Sequence, residues 1–302
     1  MIEILVVVGI IAVLVGILVP AVSMVQKTAR ETKQKAQFTA IELGLAAFRG
    51  DYGDYPPSFW WSPSSPSGPQ DYCGAQKLAE ALLGWDLLGF HPNSAWRADG
   101  RDTLGGLTTY SPPTPTAASL SERKSRYIEM DIARAFRLGE SAPGARDGLF
   151  PDTSPLARGT YVLCDVFDVP ERKLQLPDGK AVTPGTPILY YRANPTSKTI
   201  RDEDPDDRIY NSRDNVALVN LGRLADWAQL VGGRRRHPIG TSVAGGDPYF
   251  AGDPYFYRFI CDPKVEVTNL PWPYRPDSYI LISAGSDGLY GTPDDIRNFG
   301  RK

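Results

Sequence analysis

The sequence predicts an α+β protein in which one long N-terminal helix packs on an antiparallel sheet. An uncharged apolar run opens the chain, and strand-like segments are scattered through a loop-rich remainder. The 302 residues are enough to bury a sizeable core. With 27 Pro, 29 Gly, 15 Tyr and 6 Trp, the composition favours a body of strands and loops over a helical bundle.

The apolar run is long enough to cross a membrane. Ile4–Val25 contains 22 residues and no charge, and as a helix it would span about 33 Å. We therefore expect a transmembrane segment over about residues 4–25. A secretory signal peptide is one alternative: Ala21 and Ser23 resemble a cleavage site, but nothing basic precedes the run. An ordinary single-span anchor is another, and it gives no reason for the acid at Glu3.

The helical pattern continues beyond the apolar run. Phe38, Ile41, Leu45 and Phe48 recur at steps of three, four and three residues, which is the spacing of one helix face. Gly50 and the turn-forming residues after it predict the end of the helix. We expect one helix over residues 1–50, with its second half packed on a head formed by residues 51–302.

The head has weaker signals. Helical spacing is found in Ala75–Leu88 and Ser121–Arg137. Strand character is found in Tyr161–Phe167, Pro187–Arg192, Tyr255–Cys261 and Ser278–Ser283. Trp60–Pro69 has the composition of a loop. We therefore expect a small sheet that packs against the second half of the long helix.

The N-terminal segment resembles a known family. Met1–Leu14 looks like the start of type IV pilins and type II secretion pseudopilins, whose mature chains carry an acid at the fifth position and often a proline seventeen residues later. Glu3 and Pro20 are seventeen residues apart. Arg49–Ser58, RGDYGDYPPS, resembles the stretch after the long helix in the major pseudopilin G-like branch. The resemblance covers residues 1–58 and, more weakly, 272–302. Residues 60–250 are then a large loop-rich insertion.

The resemblance implies a function in filament assembly. In this family the acid that Glu3 matches pairs with the N-terminal amine of a neighbouring subunit, so Glu3 and Pro20 are the expected assembly residues. The partners implied are other pilin-like subunits, the membrane and the inner-membrane assembly machinery. Methylation is implied as well. The implied location is the inner membrane, single-pass, with the head in the periplasm or outside the cell after assembly.

Two features bear on how the chain would be processed and oriented. Counted from the family's acid, the sequence begins two residues inside a mature pilin, without the family's basic leader and Gly-Phe processing site. A basic leader ending in Gly, encoded shortly upstream of Met1, would favour the filament subunit over an anchored protein that does not polymerise. Basic residues after the apolar run would mark the cytoplasmic side by the positive-inside rule; they are Lys27, Arg30, Lys33 and Lys35. The resemblance places the head on the opposite side, and we follow the resemblance.

A C-terminal acidic loop, residues 283–296, is a candidate calcium site. Asp287, Asp294 and Asp295 lie among Gly and Pro turns, and calcium binds six to eight oxygens on flexible loops. The spacing is not that of an EF-hand. The loop resembles the calcium loop of major pseudopilins, which implies these three side chains and the Ala284 carbonyl as ligands. Alternatively, the Asp-Gly and Pro-Asp-Asp sequences are only turn formers.

Other function classes have little support in the sequence. A net charge of −2 gives no argument for a nucleic-acid partner. The three cysteines show no zinc-type spacing and allow at most one internal disulfide. Acidic residues 202–207 and the basic cluster Arg234–His237 are expected to be solvated loops. No enzyme motif is present, so we expect a non-enzyme. The alternative to a filament subunit is a single-span membrane-anchored extracytoplasmic binding protein that does not polymerise.

Overall fold

The structure is a computed structural model that describes residues 2–59, 72–101, 109–110, 114–153, 155–202, 204–228, 233–267 and 270–300. The helices are α1 (Ile2–Tyr52), α2 (Gly74–Leu83), α3 (Ala117–Glu122), α4 (Met130–Ala133), α5 (Val216–Asn220) and α6 (Tyr255–Ile260). The strands are β1 (Ala135–Arg137), β2 (Tyr161–Leu163), β3 (Leu174–Gln175), β4 (Ala181–Val182), β5 (Leu189–Arg192), β6 (Cys261–Val267), β7 (Leu270–Pro273), β8 (Tyr279–Ser283) and β9 (Ile296–Arg297). The α+β class is confirmed. The predicted loop Trp60–Pro69 lies outside the described residues.

Helix α1 has two halves with different surroundings. It runs without interruption over 51 residues and ends two residues after Gly50. The large apolar side chains described between Ile2 and Val25 are all exposed. This part of α1 is long and apolar enough to cross a membrane.

The second half of α1 forms the core of the head. Phe38, Ile41, Leu45 and Phe48 are buried, as their spacing predicts. The first three pack against helix α2 and strands β5 and β8, whose contacting residues include Leu78, Leu82, Tyr190 and Leu281. Burying an aliphatic or aromatic side chain of this size contributes about 1.5–3 kcal/mol, so this stripe attaches the helix to the head.

Glutamine side chains fix the register of α1 against the head. The Gln34 Oε1 accepts a hydrogen bond of 2.9 Å from the Val166 backbone N–H. The Gln37 Nε2 donates to the carbonyl oxygens of Ile132 and Cys164, at 2.9 Å each. Both glutamines are buried, where a polar group without a partner would be costly. A shift of α1 along its axis would break all three bonds.

A charged contact joins α1 to the C-terminal segment. The Arg275 Nη1 donates to Glu42 Oε1 at 2.6 Å, and the Asn298 Nδ2 donates to the same oxygen at 3.0 Å. The Asn298 Oδ1 in turn accepts from the Leu281 backbone N–H at 2.8 Å. Helix α1, strand β8 and the chain end are therefore tied at one point.

The sheets are small and antiparallel. The central one has the order β5-β8-β9, with Tyr190 opposite Leu281 and Ile282 opposite Arg297. Three two-stranded sheets, β1-β2, β3-β4 and β6-β7, complete the described strands. Helix α2 is buried along its whole length because α1, β2 and β5 all pack against it.

One predicted element of the head is wrong in type. Tyr255–Cys261 was expected to be a strand, but Tyr255–Ile260 is helix α6 and the strand begins only at Cys261. Pro254 precedes this helix, and Phe256, Tyr257 and Ile260 share its buried face, so packing overrides the strand propensity of aromatic residues.

The predicted helix Ser121–Arg137 is divided between three elements: the end of α3, the short helix α4 and strand β1. Arg134 adopts a left-handed conformation, with φ of 48°, and ends α4.

The three cysteines are Cys73, Cys164 and Cys261. All are free thiols and buried. They therefore act as small core residues in this structure.

Two leucines on α1 provide a matched test of the buried stripe. Leu45 is fully buried, whereas Leu43 is 67% exposed on the opposite face. We expect Leu45→Ala to lower the free energy of unfolding of the head by about 2–5 kcal/mol, because it leaves a cavity. Leu43→Ala should change it by less than about 0.5 kcal/mol. Denaturant unfolding of the full-length protein in detergent measures both, and equal losses would contradict this packing.

Candidate functional site

The C-terminal acidic loop begins at the end of strand β8. Gly285 follows the strand and has a φ of 64°, a conformation that glycine adopts readily. A Cβ at this position would lie 2.4 Å from the Asp294 carbonyl oxygen. The loop can therefore fold back on itself only because residue 285 has no side chain.

Two of the predicted ligands, Asp287 and Asp294, lie side by side. The Asp294 Oδ2 accepts hydrogen bonds from the Ser286 hydroxyl at 2.9 Å and from the Asp287 backbone N–H at 3.0 Å. Partial burial, and then the charge of Asp294, raise the pKa of Asp287. Burial also acts to raise the pKa of Asp294, but hydrogen bonds from Thr292 and Ser286 hold it below its usual value. The pair is thus a concentration of negative charge at the surface of the loop.

The third predicted ligand, Asp295, is directed elsewhere. Its side chain is 2% exposed. The Oδ2 accepts from the Gly291 backbone N–H at 2.7 Å, and the Oδ1 from the Thr292 hydroxyl at 3.1 Å. Burial raises the pKa of Asp295 to about 7. Asp295 therefore closes the turn that carries Asp294, and Ala284 is buried beneath the loop.

The carboxylates do not converge as a complete cluster. Within the part of the chain that the structure describes, no group of three His, Cys, Asp or Glu residues is placed to hold a metal ion. The structure places Asp287 and Asp294 side by side. The Asp295 carboxylate instead forms its hydrogen bonds within the turn.

Asp165 supports the loop from below, and no local sequence pattern indicates this role. It is fully buried, and its Oδ2 accepts from the Ser283 hydroxyl at 2.8 Å. Its Oδ1 accepts from the backbone N–H groups of Thr186 at 3.0 Å and Phe167 at 3.2 Å. Burial raises the pKa of Asp165 to about 7. Because 118 residues separate Asp165 from Ser283, only the fold brings them together.

The predicted assembly residues lie at the other end of the molecule. Glu3 is exposed in the first turn of α1, where an acid also complements the positive end of the helix dipole. The helix continues through Pro20. Neither residue belongs to the acidic loop.

The two charged runs are mostly at the surface. In the acidic run, Asp204, Asp206 and Asp207 are exposed. The arginines of the basic cluster are exposed as well, but His237 is buried, and its Nδ1 accepts from the Tyr290 backbone N–H at 3.1 Å. Burial lowers the pKa of His237 to about 4, so this residue belongs to the core.

Comparison with known proteins returned no match to a family model, to a curated protein or to a solved structure.

The buried Asp165 predicts a pH-dependent stability. Its pKa in the folded state, about 7, exceeds the value of about 3.9 expected when unfolded. The folded state therefore keeps a proton that the unfolded state loses, so this contribution to stability falls as the pH rises from about 4 to 7. Between about pH 5 and 8, we expect wild type to lose on the order of a few kcal/mol more than Asp165→Asn.

The measurement is denaturant unfolding of the full-length protein at both pH values. Glu171→Gln is the control, because it removes an exposed carboxylate six residues away. It should keep the wild-type dependence. Parallel profiles for wild type and Asp165→Asn would contradict the assignment.

Proposed function

We propose that this chain is a pilin-like subunit of a type II secretion pseudopilus or type IV pilus-like filament, anchored in the membrane by α1 before assembly. The observation that carries the proposal is the division of α1. Its apolar half, which opens with an acid, leaves the head altogether, while its second half is built into the core.

The exposed apolar side chains of α1 must be shielded from water by lipid or by another protein surface. The N-terminal half of α1 would be unstable in water, and lipid covers it before assembly. In a filament the helices of neighbouring subunits replace the lipid. Gly9 and Gly16 would favour this exchange, because a residue without a side chain lets another helix approach closely.

Glu3 supplies the selectivity of assembly in this proposal. A carboxylate among apolar side chains is costly unless it meets a positive charge. The N-terminal amine of a neighbouring subunit is a partner that becomes available only when the helices bundle. The head then lies in the periplasm or outside the cell, and the inner-membrane assembly machinery is the expected partner.

Filament assembly tests the role of Glu3. In membranes of cells that assemble the native protein, we expect Glu3→Ala to abolish filaments and subunit pull-down, because the interhelical pair is lost. Membrane insertion should persist, since the apolar run is intact. Electron microscopy of sheared filaments and membrane fractionation measure the two properties.

Glu171→Ala is the control, because it removes an exposed acid of the head. It should assemble as wild type does. If wild type forms no assembly and Glu3→Ala changes nothing, the chain is the alternative: a single-span anchored binding protein that does not polymerise.

The acidic loop adds calcium to the proposal. Asp287 and Asp294 would hold the ion with their carboxylates, the Ala284 carbonyl is a further candidate ligand, and Asp295 would keep the turn closed. Asp287 and Asp294 fit the ion because they lie side by side, and a divalent cation would offset the repulsion from Asp294 that adds to burial in raising the pKa of Asp287. When bound, calcium would brace the loop.

Calcium-dependent unfolding tests this site. We expect calcium to raise the unfolding temperature of wild type relative to a chelator, with an affinity of about 10⁻⁴–10⁻³ M, as in extracellular sites. Asp287→Asn should remove the calcium response without lowering stability in chelator, because it also removes the repulsion with Asp294. Asp277→Asn, an exposed acid outside the loop, should respond as wild type does. Equal responses in wild type and Asp287→Asn would exclude this site.

A further inference from the structure

A cleft lies on the head, away from the acidic loop. Its volume is about 390 Å³, within the usual range for small-molecule sites. Three segments line it: residues 57–59 after α1, residues 192–195 at the end of β5, and a group between Asp206 and Asp214. Pro57, Phe59 and Ile209 give it apolar walls.

The cleft contains a buried carboxylate with an unused oxygen. Asp214 is 3% exposed, and its Oδ2 accepts a hydrogen bond of 2.5 Å from the Ser58 hydroxyl. Among the described residues, its Oδ1 has no hydrogen-bond partner. A buried carboxylate oxygen without a donor is costly, so a donor from outside the chain would stabilise it.

No donor from a described neighbouring residue reaches this oxygen of Asp214. The Ser58 hydroxyl also accepts from the Arg192 backbone N–H at 2.8 Å. The buried Lys77 donates to the Phe59 carbonyl oxygen at 2.5 Å and lies 3.8 Å from the centre of the Phe59 ring. Lys77 acts on Asp214 electrostatically, but no hydrogen bond joins its ammonium to the Asp214 Oδ1.

The charges around the cleft favour a cation at its floor. Burial, and more weakly the charge of Asp206, raise the pKa of Asp214 to about 7, against the opposing effects of Ser58 and Lys77. Both carboxylates line the cleft. Arg192 lines it too, with Asp54 as its ion-pair partner outside the cleft.

Arg208 is neutralised in the same way. It pairs with Asp253 at 3.2 Å, outside the lining of the cleft. Both arginines are therefore balanced by acids outside the cleft, which leaves Asp214 and, at the rim, Asp206 as the acids that line the ligand space.

We infer that this cleft binds a small ligand of amino-acid size that carries a protonated primary amine. Its ammonium donates to Asp214 and Asp206, and a carboxylate or other acceptor on the same ligand meets Arg192. A primary ammonium offers three donors, which suits a cleft lined by the carboxylates of Asp206 and Asp214. The inference does not depend on filament assembly, and it adds a binding activity to the head.

Direct binding tests the inference. The probes are L-alanine and methylammonium, with acetate as the amine-free control, titrated into the full-length protein in detergent by calorimetry or ligand-observed NMR. We expect the two amines to bind. Asp214→Asn should weaken them at least about tenfold, because a hydrogen bond to a charged group is lost. Asp178→Asn removes an exposed acid on the β3–β4 turn and should bind as wild type does.

A second variant keeps the test valid if Asp214→Asn does not fold. Asp206 is exposed on the rim, so Asp206→Asn should leave the unfolding temperature unchanged and still weaken both amines. A crystal structure with L-alanine should place its nitrogen at Asp214.

Three results would each overturn the inference. One is no amine binding at about 10 mM. The second is equal binding by wild type and both variants. The third is an ordered water between Lys77 and Asp214 that saturating amine does not displace.

Discussion

The head depends on the stripe of buried side chains along one face of α1. This stripe is narrow, and the helix that carries it also has to present a fully apolar surface at its other end. Because α1 is continuous, both halves share one register, and a rotation of the helix would expose the stripe while it buried Leu43. The hydrogen bonds of Gln34 and Gln37 exclude such a rotation, since their partners are backbone groups with no freedom to follow.

The interior of the head contains buried acidic side chains. Asp165 and Asp214 are buried carboxylates whose pKa values burial raises to about 7. Such groups contribute little to stability compared with apolar residues of the same volume. Asp165 has a donor for each oxygen and fixes the base of the acidic loop, whereas Asp214 has an unused oxygen beside a cleft. We therefore assign a positioning role to Asp165, whose two oxygens both have donors, and a binding role to Asp214.

The sequence predicted α1 and its stripe well because the helical period is a local property that requires no knowledge of the partner. The central strands β5 and β8 were likewise found near their predicted bounds, as short apolar runs between turns. Tyr255–Ile260 was mistaken because aromatic residues fit both elements, and packing decided. The sequence indicated the acidic loop but not the different environments of its acids. Asp287, Asp294 and Asp295 are close in sequence, and only the folded turn directs Asp295 inward. Ser58 and Asp214 lie 156 residues apart, so no pattern along the chain relates them.

The attachment between α1 and the head has a mechanical consequence. The contacts from Gln34 to Glu42 extend over about 12 Å of helix and connect to separate parts of the head. A pulling force along α1 would load them in parallel, as a shear load, so that none could fail before the others had taken strain. The head would therefore resist a force that pulls α1 out along its axis far more than a force that bends α1 relative to the head. Extraction of α1 would require the core to rupture.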